Sequence, residues 1–252
     1  MHILPSEEPE FGDAFGAALR QCYDAGQRAG AAFEVIERSD GLISVGDAVK
    51  YFAGFEDWPD YEQEALTEVR GRVLDVGCGA GRHAAVIANA GHEVIGIDTS
   101  PQAVGVAQAR DVHAVRGEAT AFPRQIGKFS TILLLGHNLG LLGGPHQAAT
   151  VLTELAQISE PGAQILASGR NPYTTAEAVH RRYHEQNRQH GRMPGQARIR
   201  IRHDRSATPY FDYLFCSELE LAELTASSSW HLAEIRPAAY GDYLAFLQLQ
   251  KH

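Results

Sequence analysis

One stretch restricts the fold of this chain more than any other. Residues 72–82 read RVLDVGCGAGR, a short apolar run that stops at three alternating glycines. Residues 83–90 (HAAVIANA) follow with helical composition and end at Gly91. A buried strand, a tight turn and the start of a helix form a pocket for an adenosine-type ligand, and glycine lets that ligand approach bare backbone. The stretch therefore predicts an α/β protein with a nucleoside site at this turn.

The spacing of the glycines indicates which ligand the turn holds. A nicotinamide-binding turn reads G-x-G-x-x-G, whereas residues 77–81 read GCGAG, one residue shorter, and Asp75 precedes them. An acid there disfavours a pyrophosphate and suits a ligand that carries ammonium and sulfonium groups. The next predicted strand, residues 93–98 (EVIGID), ends at Asp98, 17 positions after Gly81, where a carboxylate can accept both hydroxyls of a ribose.

Two motifs carry a family resemblance. Residues 73–81 (VLDVGCGAG) resemble the first motif of the class I S-adenosylmethionine (SAM) dependent methyltransferases, and residues 96–101 (GIDTSP) resemble their second. The pattern of elements extends over residues 50–250, and the two motifs are its specific part. The resemblance implies a Rossmann-like, doubly wound α/β fold with a seven-stranded sheet and an antiparallel last strand. It also implies SAM as cofactor and S-adenosylhomocysteine as product.

Length and charge limit the class of protein. A chain of 252 residues suits one α/β domain with an insertion, so we take residues 1–252 as a single domain. The formal charge of −9 argues against a protein built to hold a phosphate backbone. Because no apolar run is long enough to span a membrane and no secretion signal opens the chain, we expect a cytoplasmic protein. The three cysteines are far apart, which fits neither a disulfide framework nor a zinc site.

Residues 1–69 precede the first motif, and their composition favours a helical cap. Apolar residues at helical spacing predict helices over residues 11–38 and 45–55. In the resembled family such helices lie over the cofactor as a lid, which would bring Tyr51 to the site. Helix packing is the alternative role for that tyrosine.

The resemblance, carried over position by position, implies the cofactor residues. Glu118 and the Ala119 backbone would recognise adenine, with a solvated loop glutamate as the alternative, and the other residues surround the turn and the neighbouring strand ends. The full set is Tyr51, Asp75, Gly77, Cys78, Gly79, Gly81, Arg82, Asp98, Thr99, Glu118, Ala119, Leu135 and Gly136.

The end of the fourth predicted strand is where we expect the methyl acceptor. His137 follows this strand, and histidine is the side chain best suited to accept a proton near neutral pH. We therefore predict His137 as a general base, with packing or cofactor contact as the alternative. The insertion at residues 170–216, a polar helix and a strand pair, would form the acceptor side. The predicted acceptor-binding residues are Asn138, Arg170, Asn171, Tyr173, His180, Tyr183, His184 and Tyr213.

Three further interpretations remain open from the sequence. Arg198, Arg200 and Arg202 share one face of a predicted strand, where they would line a solvated edge strand or hold RNA or an acidic protein. His180 and His184 lie one helical turn apart, but no third ligand stands at usual spacing, so we predict no metal. A non-catalytic SAM-binding protein is the rival from another class. We favour a small-molecule acceptor, no membrane or nucleic-acid partner, and a monomer or homodimer.

Overall fold

The computed structural model describes residues 9–123 and 125–250, and the described chain forms two sheets flanked by helices. The helices are α1 (Ala14–Asp24), α2 (Asp60–Thr67), α3 (Arg82–Asn89), α4 (Pro101–Ala109), α5 (Pro145–Gln157), α6 (Ala178–Gln189) and α7 (Glu218–Thr225). The strands are β1 (Glu10–Phe11), β2 (Phe33–Arg38), β3 (Ile43–Asp47), β4 (Val73–Val76), β5 (Val94–Asp98), β6 (Ala114–Arg116), β7 (Phe129–Leu134), β8 (Ser159–Arg170), β9 (Gln196–His203), β10 (Ser206–Ala207), β11 (Phe211–Leu214), β12 (Trp230–Pro237) and β13 (Asp242–Leu249).

The larger sheet has seven strands in the order β12-β13-β8-β7-β4-β5-β6. The strands from β8 to β6 pair in parallel, and β13 pairs antiparallel with both β8 and β12. Every residue of β4 and β5 is buried, as expected for parallel strands that helices cover on both faces. This sheet confirms the predicted doubly wound fold with an antiparallel last strand.

The order of the strands fixes where a ligand can bind. The chain runs outward from β4 to β5 and β6, then returns to the other side of β4 with β7. The crevice beyond the carboxyl ends of β4, β5 and β7 is therefore the switch point of the sheet. The glycine turn after β4 and residues 135–138 after β7 both lie at this edge.

The second sheet corrects the prediction of a purely helical N-terminal cap. Residues 33–38 and 43–47 are the strands β2 and β3, not helices, and they form a hairpin. The helix α1 ends at Asp24 because the chain then passes through Gly26 and Gly30, both with positive φ. β2 also pairs with β9, so that Ile36 lies opposite Ile201. Pairing with a strand this distant in sequence outweighs the local helical pattern.

The pairing of β9 also corrects the reading of the arginine face as an edge strand. β9 lies inside the second sheet, between β2 on one side and β10 and β11 on the other. The Arg200 and Arg202 guanidinium groups both bind the Glu37 carboxylate of β2, at 2.9 and 3.1 Å. The Tyr210 hydroxyl donates a further hydrogen bond to Glu37 at 2.8 Å. One carboxylate thus binds two of the three arginines of this face within the sheet.

The helix α1 packs against the glycine turn. A Cβ on Gly79 would lie 3.7 Å from the Phe15 ring and 3.9 Å from Leu19. Asp13 caps α1 by accepting from the Gly16 amide, and its second oxygen accepts from the Ser100 hydroxyl at 2.8 Å. This carboxylate joins the start of α1 to the start of α4, beside the end of β5.

Candidate active site

The glycine turn after β4 needs glycine at each of its three positions. Gly77, Gly79 and Gly81 have φ of 73°, 54° and 75°, in the left-handed region that other residues rarely adopt. A Cβ on Gly77 would lie 2.6 Å from the Asn138 amide nitrogen, and one on Gly81 would lie 2.9 Å from Val112. The main chain therefore faces the switch point without side chains.

Asp98 ends β5 with its carboxylate directed back to the turn. It accepts hydrogen bonds from the Gly79 amide and from the Ser100 amide, each at 2.9 Å. Burial raises the pKa of this carboxyl to about 6, although both amide bonds oppose the shift. Each carboxylate oxygen has a second lone pair, so both can also accept from the hydroxyls of a ribose.

Asp75 is a buried acid within β4 with one oxygen unsatisfied. Among the described residues, its Oδ2 has no hydrogen-bond partner. Burial raises the pKa of Asp75, and the nearby His83 and Arg82 oppose that effect. A buried acceptor without a donor is costly, and a cationic ligand group would satisfy it.

Glu62 of α2 is a central residue that the sequence analysis missed. Its carboxylate accepts from the Arg82 guanidinium at 2.7 Å and from the Gly136 amide at 3.0 Å, and lies 3.1 Å from His83 Nε2. Burial alone would raise the pKa of Glu62, but bonding to His83 and the charge of Arg82 bring it below its usual value. Glu62 thus joins α2, α3 and the loop after β7. Its helical spacing within an acidic segment gave no signal of this role.

The other predicted cofactor residues lie near the turn, after the neighbouring strands or, for Tyr51, beside α1. Leu135 and Gly136 lie between β7 and His137 at the switch point, while the Cys78 thiol is buried against Gly96 beneath the turn. The residues Thr99, Glu118 and Ala119 follow β5 and β6, and all three are at least partly exposed. Tyr51 donates hydrogen bonds to both Glu34 oxygens at 2.9 Å and contacts Phe15 edge to face.

His137 has a strained backbone that several contacts hold. Its φ is 66°, which is uncommon outside glycine and persists only where the surroundings maintain it. The His137 amide donates to the Ser168 hydroxyl at 2.8 Å, and its carbonyl accepts from the Tyr213 hydroxyl at 2.7 Å. Its Nε2 lies 3.1 Å from the Asp242 carboxylate. The imidazole is therefore fixed at the end of β7, beside the glycine turn.

Asp242 is the second residue that the sequence analysis missed. As the first residue of the antiparallel strand β13, it lies at the same sheet edge as the ends of the parallel strands. Arg170 binds both of its oxygens. Burial favours a higher pKa for Asp242, yet the bonds from Arg170 and His137 lower it below the usual value. An ionised carboxylate accepts only, so His137 Nε2 carries the hydrogen and Nδ1 of the neutral ring has a free lone pair. The direction of β13 could have signalled this position.

Comparison with known proteins decides the family. The family described as a methyltransferase domain matches residues 73–162. A SAM-dependent methyltransferase from Bacteroides fragilis, solved with S-adenosyl-L-homocysteine, is 25% identical with a TM-score of 0.80 over 99% of this chain and 98% of that one. The matched domain and the shared fold support the class I SAM-dependent methyltransferase superfamily.

Two curated relatives match a shorter part of this methyltransferase-family chain. The ubiquinone biosynthesis O-methyltransferase of Dechloromonas aromatica is 32% identical over 133 residues, 49% of this chain and 54% of that protein. The putative methyltransferase YqeM of Bacillus subtilis is 25% identical over 145 residues, 54% of this chain and 57% of that protein. The chain thus spans about half the length of the curated relatives that it matches.

The structure fits SAM, the cofactor of this superfamily. The bare backbone at Gly77 and Gly79 admits close approach, and the unsatisfied Asp75 oxygen suits an ammonium group. Asp98 at the end of β5 has the position and the lone pairs to accept ribose hydroxyls. These features lie on one edge of the methyltransferase sheet.

Two asparagines predicted to bind the acceptor make hydrogen bonds to the loops at this edge. The Asn138 amide nitrogen donates to the Val76 and Gly77 carbonyls at 3.0 and 2.9 Å, so it holds the glycine turn. The Asn171 amide nitrogen donates to Glu218 at 3.0 Å, while its oxygen accepts from the Tyr173 amide. Both side chains were placed at the correct sheet edge but stabilise the loops there.

The helix of the insertion lies against the N-terminal hairpin. His180 Nδ1 lies 3.0 Å from the Arg38 guanidinium, which stacks on the Tyr183 ring. His184 packs beside Tyr173. The structure therefore groups His180 and Tyr183 with the β2–β3 turn, whereas Tyr213 alone of the insertion's predicted residues contacts His137.

The described residues show neither a cluster of metal ligands nor a membrane-spanning helix. Within residues 9–123 and 125–250, no three His, Cys, Asp or Glu side chains gather as a metal ion would require. Over the same ranges, no helix has the length and apolar character to span a bilayer.

Proposed function

We propose that this protein transfers the methyl group of SAM to an oxygen or nitrogen atom of a small-molecule acceptor. The observation that carries the proposal is the His137–Asp242 pair at the switch point, 3.1 Å apart and next to the SAM turn. When bound, SAM supplies an electrophilic methyl group on a positively charged sulfur, and S-adenosylhomocysteine is the product. The residues of this chain bind and orient the acceptor and remove its proton.

His137 acts as the general base in this proposal. Asp242 holds the hydrogen on Nε2, so Nδ1 is the atom that accepts a proton from the hydroxyl or ammonium group of the acceptor. The acceptor then bonds to the methyl carbon as the carbon–sulfur bond breaks and the sulfur becomes neutral. Positioning of the reacting atoms in line supplies up to about 7–11 kcal/mol in favourable intramolecular cases. The fixed backbone of His137 suits such positioning.

The inner face of the second sheet is the proposed acceptor surface. Ile36 lies opposite Ile201, and Phe211 lies opposite Ile199, on the face that also carries Tyr213. These four apolar side chains are only partly buried. α1 contacts one end of this face, where Gln21 lies 2.9 Å from His203. α6 contacts the other end, where His180 lies 3.0 Å from Arg38. An acceptor with an apolar body would cover the surface between the two helices.

The alternative of an RNA or protein acceptor has less support. The surface proposed to bind such an acceptor is the arginine face, but Glu37 pairs with Arg200 and Arg202. Guanidinium groups that already bind a carboxylate contribute less of the counterion release that drives binding to a phosphate backbone. The net charge of −9 points the same way.

Formation of S-adenosylhomocysteine tests the proposal. The purified protein is incubated with SAM and with acceptor panels that differ in the accepting atom, and product is quantified. We expect turnover with a hydroxyl or amine acceptor that carries an apolar body, insensitive to added salt. SAM binding without product from any panel would favour the non-catalytic SAM-binding protein. Turnover on RNA that falls steeply with salt would favour the nucleic-acid alternative.

A further inference from the structure

A crevice separate from the glycine turn lies between α6 and the segment after β8. Its volume is about 200 Å³, and it is lined by Pro172, Tyr173, Thr175, Arg181, His184 and Arg188. Three of these six side chains carry nitrogen donors, and none is a carboxylate. The crevice therefore presents hydrogen-bond donors with no acidic group in its lining.

The two arginines are available to a ligand. Arg188 binds Glu185 at 3.2 Å, but both side chains are about half exposed, and an exposed pair of this kind contributes little. Arg181 donates to the Ala176 carbonyl and keeps its other donors. Planar guanidinium groups match the geometry of carboxylate and phosphate oxygens.

His184 provides a second and independent observation. Its side chain is only 8% exposed and lines the crevice, yet among the described residues neither ring nitrogen has a hydrogen-bond partner. Its described contact is with the Tyr173 ring, with centroids 6.2 Å apart. The ring nitrogens therefore keep their hydrogen-bonding capacity at the crevice, where an anion would accept from a ring N–H.

The charges around His184 favour an anion as that partner. Burial lowers the pKa of His184, and the positive charges of Arg188 and Arg38 lower it further, while Glu220 of α7 opposes them. Tyr173 donates its hydroxyl to Glu220 at 2.6 Å, which partly satisfies that carboxylate. The surroundings of the imidazole are thus positive on balance.

We propose that this crevice is an oxyanion site, which binds a carboxylate, phosphate or sulfate group through Arg181, His184 and Arg188. The wall of the crevice adjoins the catalytic edge, because the Asn171 amide donates to the Gly241 carbonyl at 2.8 Å and Asp242 follows. The oxyanion belongs either to the methyl acceptor or to a free anion, and the experiment separates these sources.

Sulfate titration tests the site without turnover, so its result does not depend on the proposed methyl transfer. Sulfate is added at constant ionic strength, balanced with sodium chloride, while the His184 ring resonances are followed by NMR; His184→Gln assigns them. We expect a saturable shift in the wild type. Affinity should fall on the order of tenfold in Arg188→Gln and Arg181→Gln, as for loss of a charge-assisted hydrogen bond. Arg182→Gln, an exposed position on the same helix outside the crevice, should bind like the wild type.

The pH dependence gives a second readout. Sulfate keeps its charge between about pH 5 and 8, whereas a bound anion stabilises the protonated His184 and so raises its pKa. Binding then takes up a proton, and affinity should rise as the pH falls. The rise should disappear in His184→Gln and persist in His180→Gln. No saturable shift in the wild type, or equal weakening in Arg182→Gln, would overturn the proposal.

Competition with turnover identifies the source of the oxyanion. If sulfate raises the KM of the acceptor at unchanged kcat, and does so less in Arg188→Gln, the group is part of the acceptor. If the KM is unaffected while sulfate still binds, the site serves a free anion.

Discussion

The two halves of the active site are built in different ways. The cofactor half consists of the turn and strand ends between residues 73 and 136, where each functional group follows its strand directly. The proposed acceptor half consists of β2, β9 and β11, whose residues come from near 35, 200 and 212 and meet only through sheet pairing. One half is encoded by a local motif and the other by long-range pairing. Local motifs can therefore predict what this protein binds as cofactor, but not what it methylates.

The division between the halves predicts which measurement each substitution will change. The largest effect should come from His137→Ala, which removes the proposed base. We expect kcat to fall by about a hundredfold or more, the scale of general base catalysis, with the Kd for SAM unchanged. Calorimetry and single-turnover rates give the two numbers.

The control for this variant is His146→Ala, which alters an exposed histidine of α5. It should leave both quantities unchanged. An equal loss of SAM affinity and of rate in His137→Ala would assign His137 to the cofactor half instead.

Asp98→Asn tests the cofactor half. The buried carboxylate should contribute roughly 1–3 kcal/mol to SAM binding through charge-assisted hydrogen bonds, a change of about 5- to 150-fold in Kd. In the wild type the pKa of Asp98 is about 6, and only the ionised form accepts from both ribose hydroxyls. SAM affinity should therefore decrease as the pH falls through 6, measured by calorimetry.

The asparagine variant cannot titrate, so its affinity should not change over this range. Asp111→Asn, at an exposed carboxylate, should keep the wild-type profile. A wild-type affinity that is flat between pH 5 and 7 would remove Asp98 from the site.

Asp242→Asn tests the acceptor half without removing His137. The substitution removes the carboxylate that orients the His137 ring. Loss of a charge-assisted hydrogen bond of about 1.4 kcal/mol corresponds to about a tenfold lower kcat. SAM affinity should be unchanged. Asp111→Asn, at an exposed carboxylate, is again the control and should retain kcat. Wild-type turnover in Asp242→Asn would show that His137 does not depend on this carboxylate.

The smallest expected effect belongs to Glu37→Gln, on the outer face of the second sheet. Partly exposed ion pairs contribute little, so the free energy of unfolding should fall by about 1 kcal/mol and turnover should not change. Denaturant titration and kcat measure these two quantities. A large loss of turnover would bring the arginine face into the reaction and favour the macromolecular acceptor.

The sequence predicted the larger sheet and its ligand edge because the relevant signals are local. Alternating glycines, an acid before them and Asp98 after the next strand all follow from the conformations that each residue allows. His137 was placed at the correct edge by counting strands. Its partner Asp242 was missed because the hydrogen bond between them joins positions 105 residues apart.

The N-terminal hairpin could not be predicted in the same way. Residues 33–38 alternate only weakly, and their β conformation depends on hydrogen bonds to β3 and β9. β propensity expresses such context more than an intrinsic preference of the residues. Glu62 was missed for a related reason, since one glutamate in an acidic helix differs from the others only by its contacts.

The pairing of β2 with β9 has a consequence for how the chain is made. During synthesis the first hairpin leaves the ribosome more than 150 residues before its partner strand, so one edge of β2 waits unpaired while the seven-stranded sheet is still being translated. Contacts so far apart in sequence form slowly because a long loop must close first. The proposed acceptor surface can therefore form only after residues 196–214 have been made, and Asp242, which binds His137, is translated later still.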